Sequence, residues 1–92
     1  MNEVDLTRYR YTSADLESLP PSRLRVGDLL ASAGPPGTSR HAADRVIAVD
    51  WAGWSPFWGA DTWRVRYRSP WGEQEFVNPD TMHVHRVRRD VT

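Results

Sequence analysis

Three groups of side chains in this chain have the types and spacing to do chemistry. The first is His83-Val84-His85. Two imidazoles two positions apart on a strand project to the same side, a geometry that metal sites use, and His41 or Asp80 would extend the ligand set. Only two of these ligands are close in sequence, the chain has no Cys, and no His-Glu-x-x-His motif occurs. The expectation is therefore solvent-facing, pH-sensitive histidines, with no metal and no other cofactor.

The second group is basic. Arg64, Arg66 and Arg68 alternate along one run, and side chains two apart on a strand stand roughly 6.6–6.8 Å apart, close to a phosphate repeat. Glu73 and Glu75 follow at a spacing that sets them across a hairpin from Arg68 and Arg66, so a ladder of exposed ion pairs competes with phosphate binding as the role of this stripe. Arg86, Arg88 and Arg89 form a further basic group, offset locally by Asp90. With Arg64, they are the expected contacts if the partner is a nucleic acid.

The third group is aromatic. Trp54, Phe57 and Trp58 lie in a stretch rich in Gly, Ser and Pro (52–61), and Trp71 lies in a later Ser-Pro-Trp-Gly turn. Either these rings are exposed as a platform for a protein partner or for stacked bases, or the N-terminal segment or Pro35-Pro36 covers them. Catalysis has no comparable support. No Gly-x-Ser-x-Gly, phosphate loop or dinucleotide fingerprint is present, and a small β unit rarely encloses the ~300 Å³ a substrate needs. The chain reads as a non-enzyme with no catalytic residues.

The elements that would position these groups are short strands. Thr62 to Arg68 has period two, with Trp63, Val65 and Tyr67 on one face and the arginines on the other. A return through Glu73 to Val77 sets Arg68 opposite Glu73, Arg66 opposite Glu75 and Val65 opposite Phe76, and a one-residue slip would put Phe76 in water. Arg45 to Trp51 predicts another strand, with Ile47, Val49 and Trp51 on one face; Ser32 to Ser39 and Ala52 to Asp61 read as loops. Leu24 and Val26 alternate before a Gly27-Asp28 turn. Asn78 to Thr81 predicts a tight helical turn, and Met82 to Arg88 a last strand. Leu6 to Tyr11 permits a short edge strand, and Thr12-Ser13 a capped helical turn through Leu19 that Pro20-Pro21 ends; Leu16, Leu19 and one Tyr would attach this segment. The division is residues 1–22 as an N-terminal extension, 23–89 as the body and 90–92 as a tail.

Composition bounds the partners. At 92 residues the chain makes one domain, and twelve basic against twelve acidic residues leave zero formal charge, six of each sign in either half. This excludes a bulk polycation, an acidic nucleic-acid mimic and a basic membrane tail. No apolar run long enough to span a membrane and no leader-like start occurs, so the expected address is cytoplasmic. Ile, Leu, Val and Phe are few, and five Trp with three Tyr predict an aromatic-heavy core. Every basic residue is Arg, the codon signature of a GC-rich genome such as an actinobacterium or one of its phages.

Five strands with a turn at Val26-Gly27-Asp28, a central hairpin at TWRVRYR and FVNPDTMHVHRV at the end resemble an SH3-like barrel over residues 23 to 89. The fold this implies is mainly β, a five-stranded SH3-like barrel with a short strand and helical-turn extension. Val26-Gly27-Asp28, Pro35-Pro36-Gly37, Val65-Arg66-Tyr67 and Trp71-Gly72 also resemble the small barrel of the nitrile hydratase beta subunit, although Thr38-Ser39-Arg40-His41-Ala42 departs from that family's His-Thr-Arg-x-Pro stretch. Three functions are therefore carried forward. The first is an interaction module that binds a protein, or its own copy, through Trp54, Phe57, Trp58 and Trp71. The others are a nucleic-acid-binding barrel using Arg64, Arg86, Arg88 and Arg89, and an accessory subunit of a larger enzyme.

Overall fold

In a computed structural model, residues 8–33 and 37–91 are described. The chain is mainly β. Seven strands form one antiparallel sheet: β1 (Tyr11–Thr12), β2 (Leu16–Leu19), β3 (Leu29–Ala33), β4 (Arg40–Ser55), β5 (Ala60–Ser69), β6 (Gly72–Pro79) and β7 (Val84–Val87). Their order is β2-β7-β3-β4-β5-β6, with β1 on β4. Among the described residues no pairing joins β2 to β6, so the sheet is not closed into a barrel.

The central hairpin has the expected register: Arg68 pairs with Glu73, Arg66 with Glu75 and Val65 with Phe76. Val65 is fully buried while Arg64, Arg66 and Arg68 face solvent. Strict alternation over both strands leaves only this register with one dry face, which is why local pattern was enough.

Other elements differ from expectation. Leu16 to Leu19 is a strand paired to β7, and the helical turn shrinks to a single 3-10 turn at Ser13–Asp15. There Thr12 N–H donates to Asp15 Oδ2 at 2.9 Å. Pairing with Val84 to Val87 outweighs a weak local helix preference, and it buries Leu19. Leu24 and Val26 are not in a strand: Leu24 is buried in a connection, Val26 is exposed, and the first strand of the body is Leu29–Ala33. The stretch 52–61 is not a loop either, since β4 runs to Ser55, β5 starts at Ala60, and only residues 56–59 turn. β6 runs through Pro79, and the helical turn beyond it is a hydrogen-bonded turn in which Met82 N–H donates to Pro79 O at 3.0 Å. Leu6, Pro35 and Pro36 lie outside the described residues.

Of the three residues expected to share a face of β4, Val49 and Trp51 do so, and Ile47 does not because a bulge falls on it. Val46 pairs with Tyr67 and Ala48 with Arg66, so Ile47 is an extra residue and the alternation changes phase there. Ala42, Asp44 and Val46 are buried on the near side of this bulge. Val49 packs on the core beyond it, and Trp51 is exposed. A second irregularity lies between Trp51 and Gly53, whose φ of +103° is a conformation glycine adopts without strain.

The core is aliphatic, not aromatic. Leu19, Leu24, Val46 and Val65 form it, with Leu30, Val49, Phe76 and Val84 packed around them. Four of the five tryptophans, Trp51, Trp54, Trp58 and Trp71, are exposed.

Candidate interaction surface

Pairing in the sheet decides which aromatics stand clear. β3 pairs with β4 only between residues 41 and 45, and β6 reaches β5 only as far as Thr62 opposite Pro79. Beyond those limits β4 and β5 continue alone as a two-stranded ribbon, Trp54 opposite Asp61 and Ser55 opposite Ala60. The ribbon is locally secured. Thr62 Oγ1 donates to Gly53 O at 2.7 Å, Gly59 N–H donates to Ser55 O at 2.8 Å, and Trp51 Nε1–H donates to Asp61 Oδ1 at 3.2 Å.

Paired residues share a face, so Trp51, Trp54, Asp61 and Trp63 lie on the face that Val49 and Val65 occupy nearer the core. The apolar face thus runs out past the core onto the ribbon. Phe57 is 84% exposed, Trp51 and Trp54 are each 61% exposed, and Trp58 is 45% exposed. Phe57 and Trp58 meet edge to face, 5.1 Å between centroids at 88°. Among the described residues the extension does not cover these rings, since β1 pairs with Arg40 and His41 at the opposite end of β4; the other cover expected, Pro35-Pro36, lies outside the described residues.

Trp54, Phe57 and Trp58 share the ribbon and its turn, and Trp51 stands at the ribbon's root on the same face as Trp54. Trp71 is not with them; it occupies the β5–β6 turn, at the other end of β5. Trp51 shares a face with Val49, as its alternation predicts; its exposure was missed because nothing in the alternation shows where along β4 that face passes beyond the core.

The basic residues are dispersed and individually occupied. Arg64 Nε lies 2.9 Å from Glu75 Oε2, Arg66 Nη2 lies 2.6 Å from Glu73 Oε2, and Arg68 reaches the other Glu73 oxygen at 3.6 Å. Arg86 is buried, and it donates to Glu17 and, at 3.2 Å, to Asp28 Oδ2. Arg89 donates to both Asp28 oxygens at 2.9 Å, and Arg88 is 3.3 Å from Asp90. Arg64 is on β5 and Arg86 on β7, with β4 and β3 between them in the sheet.

Asp28 is the hub that sequence reading took for a turn residue. Its Oδ2 also accepts from Arg25 N–H at 2.8 Å, while Gly27 N–H donates to Val46 O and Val46 N–H to Asp28 O, each at 2.8 Å, binding the turn to β4. Burial pushes the Asp28 carboxyl up, but the bonds from Arg89, Arg25 N–H and Arg86, with the Arg89 charge, outweigh it and hold the carboxyl below its ordinary range. The bond to Asp28 raises the Arg89 guanidinium in turn.

The histidines do not assemble a site. His83 Nδ1 is 3.1 Å from Ser18 Oγ, Asp80 accepts from Ser22 N–H and Oγ at 3.0 and 2.6 Å, and His41 and His85 line an open cleft of about 490 Å³. Among the described residues no three His, Cys, Asp or Glu are grouped to hold a metal ion, and no helix is long and apolar enough to cross a membrane. Compared with known proteins, the chain matches no family model, no curated protein and no solved structure.

Proposed function

We propose that this protein is a non-enzymatic interaction module that binds a protein partner through Trp51, Trp54, Phe57 and Trp58. The observation that carries this reading is the run of exposed large rings on a ribbon whose root is the hydrophobic core. Solvent exposure of contiguous apolar surface is unfavourable, and a rigid arm presenting indoles is the pattern of an interface hot spot. On the same reading β3 to β7 are the five strands of an SH3-like fold, to which β1 and β2 are added; β7 returning to pair with β3 at Leu30 and Arg86 supports it. Trp71 belongs to a separate surface.

The nucleic-acid reading is disfavoured because Arg64, Arg86, Arg88 and Arg89 each have a carboxylate neighbour and do not share a face. The accessory-subunit reading rests on the sequence resemblance alone. Lysate passed over the immobilised chain, with and without prior nuclease treatment, tests the proposal. Protein retention that persists from about 50 to 500 mM salt and is lost in Trp58→Ala is expected. Retention of nucleic acid that falls steeply with salt and disappears in an Arg64→Ala/Arg88→Ala variant, which leaves the Asp28 cluster intact, would overturn it. Concentration-dependent sedimentation abolished by Trp58→Ala would identify the partner as a second copy.

A further inference from the structure

We propose that Asp44 and Trp71, at the β5–β6 end of the sheet, form a guanidinium receptor that the chain's own Arg8 engages in this structure, beside a cleft that stays open with Arg8 in place. It is distinct from the aromatic ribbon and independent of the reading given for it. The cleft, about 330 Å³, is lined by Arg8, Tyr9, Asp44, Tyr67, Trp71 and Gln74 among others. Of these residues Asp44 is buried, its side chain only 11% exposed. Tyr9, Tyr67 and Trp71 are the aromatic residues of the lining.

Arg8 shows what this arrangement selects. Its guanidinium carbon stands 5.0 Å from the Trp71 ring centroid and 5.6 Å from that of Tyr9, and its Nη2 is 3.8 Å from Asp44 Oδ1. A planar delocalised cation fits a stack against an aromatic face with a carboxylate at its edge better than a compact, strongly hydrated ammonium does. The Arg8 side chain is only 25% exposed, and it forms part of the lining of the cleft. Burial pushes the Asp44 carboxyl up, and the Arg8 charge, 3.8 Å away, opposes this only in part.

The backbone explains how Arg8 arrives. β4 pairs with β3 along residues 41 to 45 on one edge, while on the other β5 begins pairing only at Arg45 and β1 only at Arg40 and His41. Residues 42 to 44 therefore form a short gap in the second edge, beside which the segment running from Arg8 into Tyr11 lies. An arginine-bearing extended segment of a partner protein has the same two features, a strand backbone and a guanidinium, and would compete with Arg8 for the gap and the cleft.

The experiment uses the full chain, ¹⁵N-labelled, titrated at constant ionic strength with methylguanidinium chloride and, separately, with tetramethylammonium chloride. Removing the internal occupant should make Arg8→Ala bind methylguanidinium about tenfold more tightly than the unaltered chain, because the site no longer spends most of its time filled. The largest shift should fall on the Trp71 indole N–H, and adding Asp44→Asn to Arg8→Ala should abolish saturable binding. If Asp44→Asn does not fold, Trp71→Ala in the exposed turn serves in its place, with the Tyr67 amide as the reporter. Equal affinity of the unaltered chain and Arg8→Ala would overturn the proposal. So would shifts centred on the Asp28 cluster, or tetramethylammonium binding as tightly as methylguanidinium.

Discussion

The arginines around Asp28 and those along β5 are the same residue type with the same kind of partner, yet they do different work. On β5, Arg64, Arg66 and Arg68 meet Glu75 and Glu73 across an open strand pair, with about half of each Arg64, Arg66, Glu73 and Glu75 side chain in water. Around Asp28, the Arg86 side chain is 9% exposed and the carboxylate 6%. Water screens the first set, so each pair is worth little. It is largely excluded from the second, where losing one partner strands a charge. Burial, more than the number of ion pairs, decides which cluster holds the molecule together. The buried one ties β2, the turn at 26–28 and β7 at a single point.

The comparison breaks most sharply at Asp28. Asp28→Ala leaves Arg86 without one of its carboxylates in a buried setting and should cost about 3–5 kcal/mol. At about 4–8 °C per kcal/mol for a domain this small, that is visible in any thermal melt, and a loss under 1 kcal/mol would mean water already fills the cluster.

Acid titration sharpens it next. Asp28 has a folded-state pKa below its ordinary 3.8, so the unfolded chain binds the extra proton; its stabilisation is complete above 3.8 and is lost as pH falls through the lower folded value. Asp44 acts oppositely. Its folded pKa is raised, so its contribution is complete below 3.8 and is lost as pH rises through the folded value. Urea midpoints between about pH 2 and 6 should therefore lose part of their acid-side fall in Asp28→Asn and fall more steeply in Asp44→Asn; the reverse pairing would contradict both assignments.

The exposed ladder should respond weakly. Glu73→Gln removes the partner of Arg66 and Arg68 and is expected to cost about 0.2–1 kcal/mol, vanishing in 1 M salt; a loss comparable to that of Asp28→Ala would erase the distinction between the sets. Smallest is Trp58→Ala on the ribbon, expected within about 0.5 kcal/mol of the unaltered chain in denaturant unfolding, although it should abolish the proposed partner binding. A large destabilisation would assign Trp58 to packing.

Much of the hairpin was legible because its information is local. Each residue of β5 has its partner within a few positions across a tight turn, and alternation labels both faces at once. The exposure of Phe57 and Trp58 was half legible: Gly, Ser and Pro marked a turn, but nothing nearby told whether another segment covered it. The face of β4 was legible for Val49 and Trp51, which share it opposite Val65 and Trp63, but not up to Val46, since the bulge at Ile47 shifts the alternation there while the composition stays the same. Arg86 read as a basic surface residue because its carboxylates, Glu17 and Asp28, are 69 and 58 positions away.

By itself the sequence determined the β character of the chain, the register of β5 against β6 and the outward stripe of Arg64, Arg66 and Arg68, all consequences of period-two alternation acting over short separations. Only the tertiary structure decided that β2 joins β7, that Asp28 gathers Arg86 and Arg89, that Trp51 faces solvent and that Arg8 lies against Trp71. Those outcomes depend on which distant segments exclude water from one another, and a side chain's type does not encode who its neighbours will be.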